Sequence, residues 1–330
     1  MNANRIHVCN GDADGLCAAI QWRLHIGAPS ALVTGMKREI DLLERVDAAA
    51  GDEVDVFDIS LERNREALRR LLRRGVRIRW FDHHRVPEIP IDPLLATEID
   101  CASDVCTSLI VDRVVAARFR TWALVGAYGD NLAATADRLA RESAIGEAAR
   151  ARLQGIGVAI NYNAYGASPG DAHIAPAALY EVLARYRDPL EMAAREAVID
   201  EIEAIRRSDL ERAAASVPHR QTASVDVRIL PDAPWSRRVL GTFANQLANA
   251  DPQRAHAVLR WNAGAYVASV RAPLATPAGA HDLCRRFGGG GRERAAGVDA
   301  LPAHELERFT EALASMRWGR SASVGPQGPA

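Results

Sequence analysis

Over its first 130 residues the chain alternates short apolar runs with longer stretches of helical spacing, and no other feature constrains the fold as much. "RIHVCN", "SALVTG", "DEVDVFDIS" and "VRIRWFDHH" are short, apolar and rich in β-branched residues, as buried strands are. "DGLCAAIQWRLHI", "REIDLLERVDAAA" and "LERNREALRRLLRRG" lie between them and read as helices. This repetition specifies a mostly parallel sheet flanked by helices, because a parallel pair needs a crossover long enough to hold a helix. The arginine-rich third helix carries Leu68, Leu71 and Leu72 at helical spacing. It is expected to pack by that stripe and to leave its arginines in solvent rather than on a nucleic acid.

Beyond about residue 104 the pattern is mainly helical. "SDVCTSLIVDRVVAA" offers Ser103 as an N-cap, and "DPLEMAAREAVIDEIEAIRRSDLERAAA" reads as one long connecting helix. After about 220 come strand-like "ASVDVRIL", "AHAVLRW" and "AYVASVRA", with a helix in "SRRVLGTFANQLANA". A short helix at "GAHDLCRRF" precedes "GGGG", and "PAHELERFTEALASM" closes the pattern. The reading is α/β throughout: a first domain over 1–190, a helical connector over 191–218, a smaller α/β domain with a mixed sheet over 219–318, and a disordered tail over 319–330. Trp22, Trp80, Trp122 and Trp261 fall in apolar patterns and are expected in the core.

Composition bounds the class. With 330 residues, 48% hydrophobic and 25% charged, the chain is globular and long enough for two cores. No apolar run approaches the roughly 18 residues of a membrane span, and "MNANRIHVCN" lacks the basic head and apolar stretch of a signal peptide. A cytoplasmic protein with no membrane partner is expected. The five cysteines (Cys9, Cys17, Cys101, Cys106, Cys284) are odd in number and scattered, without a C-x-x-C, so they read as reduced, mostly buried thiols. The net charge of −1 provides no overall basic field for a long polyanion. Lys37 is the sole lysine; the other basic residues are arginines, which suit bidentate phosphate contacts.

In parallel sheets of this kind, chemistry sits beyond the C-terminal ends of the strands. Acidic clusters fall at such ends: "NGDAD" after the first strand, Asp58 after the third, and "DHH" at 82–84 after the fourth. Asp130, in "YGDN", adds a further carboxylate. Taken singly, a D-x-D is an ordinary turn or cap and a His-His pair an ordinary structural element. Together they describe carboxylates that repel one another unless cations lie between them. Oxygen and imidazole donors without thiolates favour a hard or borderline divalent ion such as Mn²⁺ or Mg²⁺. Two ions sharing a bridging carboxylate, about 3.5–4 Å apart, can clamp both the attacking and leaving oxygens of a phosphoryl displacement.

These motifs resemble, in order and spacing, those of the DHH phosphoesterase superfamily: "NGDADG", the aspartate of "FDIS", "DHH", and Asp130 in "GAYGDN". The C-terminal third resembles the DHH-associated domain through "FANQLA", "SVR" at 269–271 and "GGGGRERAAG" at 288–297. The resemblance, to RecJ-like and nanoRNase-like members, implies that 1–190 is the catalytic domain and 219–318 binds substrate. It implies two divalent ions, Mn²⁺ first and Mg²⁺ second. Asp12 and Asp58 would hold one ion; Asp14, Asp58, His83 and Asp130 would hold the other, with Asp58 bridging. Asp82 would orient the histidines, and His84 would lie beside the substrate phosphate. Arg271, Gly289, Gly290, Gly291 and Arg292 would grip the rest of the substrate. The implied reaction is hydrolysis of a phosphodiester or phosphomonoester in a small nucleotide or short single-stranded oligonucleotide, by a protein able to form a homodimer.

Two positions depart from the family pattern. Many members carry a histidine where this chain has Val8, and RecJ-like members an aspartate where it has Asn10. Asn10 is thus a weaker ligand that brings no charge. Arg292 stands where the glycine motif often has a histidine, giving a bidentate phosphate donor but no titrating imidazole. The rival from another class is a nucleotide-binding regulatory protein that senses without cleaving. Retention of Asp12, Asp14, Asp58, His83 and Asp130 favours the enzyme, and the near-neutral charge favours short substrates over long strands.

Overall fold

A computed structural model describes residues 4–319. The chain divides into two compact units, Met1–Arg206 and Arg207–Ala330. All of the expected tail except Gly319 lies outside the described residues.

The first unit begins β1 (Arg5–Asn10), α1 (Ala13–Ile26), β2 (Ala31–Gly35), β3 (Glu53–Phe57), α2 (Arg65–Arg73), β4 (Arg77–Asp82) and β5 (Leu95–Ile99). The strands form one sheet in the order β2-β1-β3-β4-β5, every neighbouring pair parallel. From β1 the chain moves to the β2 edge, then returns to place β3 on β1's other side. This reversal opens a crevice beyond the C-terminal ends of β1 and β3. Val8, Val56, Ile78 and Trp80 of the strands share a core with Leu68, Leu71 and Leu72 of α2. The leucine stripe therefore packs as its spacing predicts. Arg69 of α2 pairs with Glu66 at 2.8 Å and Arg70 with Glu44, so part of the arginine face is met by acids of the same unit.

Two expectations in this part of the chain need correction, and one strand was not expected. "REIDLLERVDAAA" does not form a helix; it makes a single 3₁₀ turn at Leu42–Arg45. Buried Asn64 replaces the helical ladder there: its side chain accepts from the Leu43 amide at 3.2 Å and donates to the Ile40 carbonyl at 2.7 Å. Strand β5, "LATEI", carries no continuous apolar run because it is a half-exposed edge. Ser103 is not an N-cap. The next helix, α3 (Thr107–Val114), starts four residues later, and its first amides are held by a side chain from α1, described below.

The unit is completed by α4 (Arg120–Gly129), α5 (Ala133–Glu142), α6 (Glu147–Asn163), α7 (Pro176–Leu183), α8 (Pro189–Arg195) and α9 (Val198–Ala214), the last running across the boundary between units. The single connecting helix expected from sequence is two. Glu196 takes an extended backbone between α8 and α9, and its carboxylate accepts from the Tyr186 hydroxyl at 2.6 Å. Helices α4 and α6 approach closely because both are small at the crossing. A Cβ on Gly157 would lie 2.3 Å from the Val125 carbonyl oxygen, and one on Gly129 would lie 2.9 Å from the Gly157 carbonyl oxygen.

The second unit contains β6 (Pro218–Gln221), β7 (Val225–Leu230), α10 (Pro234–Ala250), β8 (Ala255–Asn262), β9 (Ala265–Arg271), α11 (Ala280–Arg285), β10 (Gly290–Arg292), β11 (Ala295–Pro302) and α12 (Leu306–Ser315). Its sheet, β10-β11-β9-β8-β7-β6, is mixed: β7 and β8 run parallel through α10, and the other pairs are antiparallel. Trp22, Trp80 and Trp122 are buried, but Trp261 is 37% exposed. Burial along β8 ends at Arg260, so Trp261 stands at the uncovered strand end, edge-on to Tyr266. The cysteines are all free, and only Cys101 is exposed. Among the described residues no helix is long and apolar enough to cross a membrane.

Candidate metal centre

The chain leaves β1 at Asn10 and turns at once into α1. Asp12 caps that helix, its Oδ1 accepting from the Gly15 amide at 3.1 Å, as an acidic N-cap should. The side-chain oxygen of Asn10 accepts from the Asp12 amide at 3.2 Å. Asp14, 1% exposed in the first turn of α1, reaches across to α3: its two oxygens accept from the Thr107 and Ser108 amides, each at 2.8 Å. One carboxylate thus caps a helix that begins 93 residues away.

Asp58 follows β3 with φ of +56°, a left-handed conformation that costs a non-glycine residue about 1–2 kcal/mol. Thr107 Oγ1 donates to its Oδ1 at 3.3 Å. Beyond β4, His83 Nδ1 lies 3.2 Å from the Val105 carbonyl oxygen, which can only accept. The Nδ1–H is therefore fixed there and Nε2 is turned toward Asp58 Oδ1, 3.4 Å away. Asp82 Oδ1 accepts from the His83 amide at 2.8 Å and from His84 Nδ1 at 2.7 Å. It therefore orients the ring of His84 and the backbone, not the ring, of His83. Its other oxygen is buried without a hydrogen-bond partner among the described residues. Asp130 ends α4 as its C-cap.

The charges in this cluster are in conflict. Burial and the charges of Asp12 and Asp14 push the Asp58 carboxyl well above the usual carboxylate range. Burial and Asp14 push Asp130 up to about 6. Burial alone would lower His83, but the hydrogen bond to Asp58 and the charges of Asp14, Asp58 and Asp130 outweigh it and raise it to about 10. Burial also acts to raise Asp12, yet the Lys37 ammonium holds it below its ordinary value. The thiols beneath the site are kept protonated: burial, with nearby carboxylates, raises Cys9 to about 12 and Cys17 and Cys106 well above their usual range.

Asp14, His83 and Asp130 bring one ligand atom each within 4.8 Å of one another, and so do Asp58, His83 and His84. The donors are oxygen and imidazole, in excess of negative charge and without thiolate, so the residues fit a hard or borderline divalent ion. Of the residues singled out from sequence, the structure gathers Asp14, Asp58, His83, His84 and Asp130, with Asp82 behind them. Asp12 belongs to neither three-residue group, and its Oδ2 is hydrogen-bonded to Lys37 Nζ. Sequence reasoning missed Lys37, Asn161, Thr107 and Ser108. Lys37 had a usable signal, lying two residues beyond the C-terminal end of β2, on the same sheet edge as the acids.

In the second unit the glycine run, 288–291, leads into strand β10 and is not a linker. Gly289 and Gly291 press against β11, where a Cβ would lie 2.1 Å from the Gly297 carbonyl oxygen and 2.5 Å from Ala296 Cα. Gly290 has open space around it, and Arg292 is exposed. Arg271 braces β9 to α10: it donates to Asn245 Oδ1 at 2.5 Å, Ser269 Oγ at 3.0 Å, the Val270 carbonyl at 2.9 Å and the Gly241 carbonyl at 3.2 Å.

No protein-family model matches the chain, and no curated protein matches it by sequence. Solved structures do. A DHH-domain protein described as a member of the s1p family of ribosomal proteins is 12% identical, with a TM-score of 0.65 over 94% of this chain and 86% of that one. Exonuclease RecJ bound to manganese is 18% identical, with a TM-score of 0.58 over 96% and 92%. A pGpG-specific phosphodiesterase from Vibrio cholerae is 12% identical, with a TM-score of 0.52 over 94% and 97%. At these identities the likeness is one of fold. The protein has the α/β architecture of DHH-domain proteins, as the motif resemblance implied.

Proposed function

We propose that the protein is a divalent-metal-dependent phosphoesterase acting on a small nucleotide or a short single-stranded oligonucleotide. The observation that carries this is the convergence of Asp14, Asp58, His83, His84 and Asp130 beyond the ends of β1, β3 and β4, at the crevice where an open parallel sheet binds ligands. The fold neighbours lend support: one is an exonuclease bound to manganese and another a phosphodiesterase specific for pGpG.

Asp14, Asp58, His83 and Asp130 would hold the ion, with Asn10 at most a weak contributor. When bound, such a cation polarises a phosphoryl oxygen and makes water a nucleophile near neutral pH. Asp82 keeps a proton on His84 Nδ1 and so fixes that ring's orientation. With its side chain 47% exposed, His84 is placed to meet a phosphate oxygen and to hold or release a proton there. In the second unit, Arg292, Gly289, Gly290 and Gly291 would offer donors to an anionic substrate, with Arg271 bracing β9 of the same sheet.

The test is turnover of bis-p-nitrophenyl phosphate, dinucleotides and oligomers of graded length with Mn²⁺ or Mg²⁺, read by product chromatography. Dinucleotides and short oligomers are expected to be cleaved, and Asp58→Asn to lose turnover with its circular dichroism unchanged. Failure to hydrolyse any phosphoester with any divalent ion would sink the proposal and leave a nucleotide-binding regulatory protein. Cleavage confined to oligomers well beyond about ten nucleotides would remove the short-substrate part.

A further inference from the structure

We infer that the ammonium of Lys37 takes the place of one of the two cations, so that the centre holds a single divalent ion opposed by a fixed lysine. The inference rests on the metal-centre reading above and changes its stoichiometry. Lys37 follows β2, and its backbone amide donates to the Ala164 carbonyl at 3.1 Å, just past the end of α6. Its Nζ donates to Asp12 Oδ2 and to Asn161 Oδ1, the latter at 3.1 Å, and lies 5.9 Å from the centre of the Tyr165 ring. Asn161 is itself positioned, its Nδ2 donating to the Tyr165 hydroxyl at 2.9 Å. The ammonium therefore sits in a cradle of carboxylate, amide oxygen and aromatic face, the set of partners that suits a cation.

The Oδ1 of Asp12 accepts from the Gly15 amide, as the oxygens of Asp14 accept from the Thr107 and Ser108 amides; what sets Asp12 apart is the ammonium on its Oδ2. Asn10 adds no charge, and its oxygen already accepts from the Asp12 amide. A divalent ion at Asp12 would have to displace an ammonium from the same oxygen, or sit beside it. The two three-residue ligand groups share His83 and leave out Asp12, which meets the Asp58 carboxyl and the Lys37 ammonium instead.

Asp12, Asp14, Asp58 and Asp130, with Asp82 behind them, carry five negative charges, of which the Lys37 ammonium meets one. One divalent ion beside the lysine leaves two negative charges, and the ammonium removes a charge that a second ion would otherwise have met. The side chain of Lys37 is 32% exposed, so a phosphate oxygen could reach the ammonium, a compact point charge where the other cation would have stood.

The test counts Mn²⁺ on the full chain by equilibrium dialysis, with electron paramagnetic resonance to distinguish isolated from paired ions. Wild type is expected to bind one tight, magnetically isolated ion. Lys37→Ala should gain a second, weaker one with Mn–Mn coupling, and Lys37→Arg should remain at one. Turnover of Lys37→Ala, measured where only the first ion is bound, should fall roughly 10²-fold and recover as Mn²⁺ is raised. Two tight ions in wild type, or a count in Lys37→Ala that stays at one, would overturn the inference and leave the metal centre standing. No tight ion in wild type would remove the metal centre itself.

Discussion

Asp58 bears two strains at once: a left-handed backbone and a carboxyl buried beside Asp12 and Asp14. Asparagine tolerates the same backbone and carries no charge. Asp58→Asn should therefore raise the melting temperature of the metal-free protein while abolishing the rise that Mn²⁺ gives wild type, as differential scanning calorimetry would read. Asp130 sets a pH dependence. Its carboxyl titrates near 6 in the folded chain and near 3.8 otherwise, so between those values the folded state holds a proton that the unfolded state has released. Its contribution to metal-free stability is thus fully present below about 3.8 and lost as pH rises through about 6. Metal needs that carboxylate free. Mn²⁺ affinity should climb from pH 5 to 7.5, with proton release on binding, measurable by titration calorimetry in buffers of different ionisation heat. His83, raised to about 10, adds proton release on the alkaline side. At this scale the acids and histidines were readable from sequence because metal-ligand chemistry limits which residue types can serve. The position of Lys37 after β2 was readable too, but its contacts with Asp12 and Asn161 were not, because they depend on β2 lying beside β1 and on Asn161 arriving from α6.

Among the elements, the site is gathered by close helix packing as much as by strand ends. Asp130 caps α4, and α4 crosses α6 where Gly157 leaves no space: a Cβ there would lie 2.3 Å from the Val125 carbonyl and 2.9 Å from the Gly129 amide nitrogen. Gly157→Ala should force α4 and α6 apart, lower stability by about 1–3 kcal/mol in a urea titration, and weaken Mn²⁺ binding by displacing Asp130. Strands β1, β3 and β4 were legible because each is a short run buried along most of its length, and edge strand β2, though half-buried, keeps the apolar run ALV. Elements whose fate rests on distant partners were not: Asn64 dissolves the helix expected near 42–45, Glu196 divides α8 from α9, and β5 is an edge without a pattern of its own.

For the whole molecule, near-zero net charge bears on substrate length. A ligand contacting two or three phosphates should give kcat/KM a log–log salt slope of roughly −2, whereas a long single strand in a basic groove would give a much steeper one. A series in KCl from low to physiological salt, on substrates of two to twelve nucleotides, separates the two. The likeness to solved DHH-domain structures extends over 94% of the chain or more, so both units were foreseeable in outline from their motifs, even with identities of 12–18%.

The reach of Asp14 to the start of α3 bears on how such a protein could lose its activity over time. That carboxylate is both a ligand of the proposed centre and the anchor for the Thr107 and Ser108 amides, so a substitution there injures the scaffold along with the chemistry. A descendant released from catalytic selection would still be held to an acid at that position, while His84, half in solvent and tied mainly to Asp82, could drift freely. Decay of the proposed centre should begin at its rim and reach its middle last.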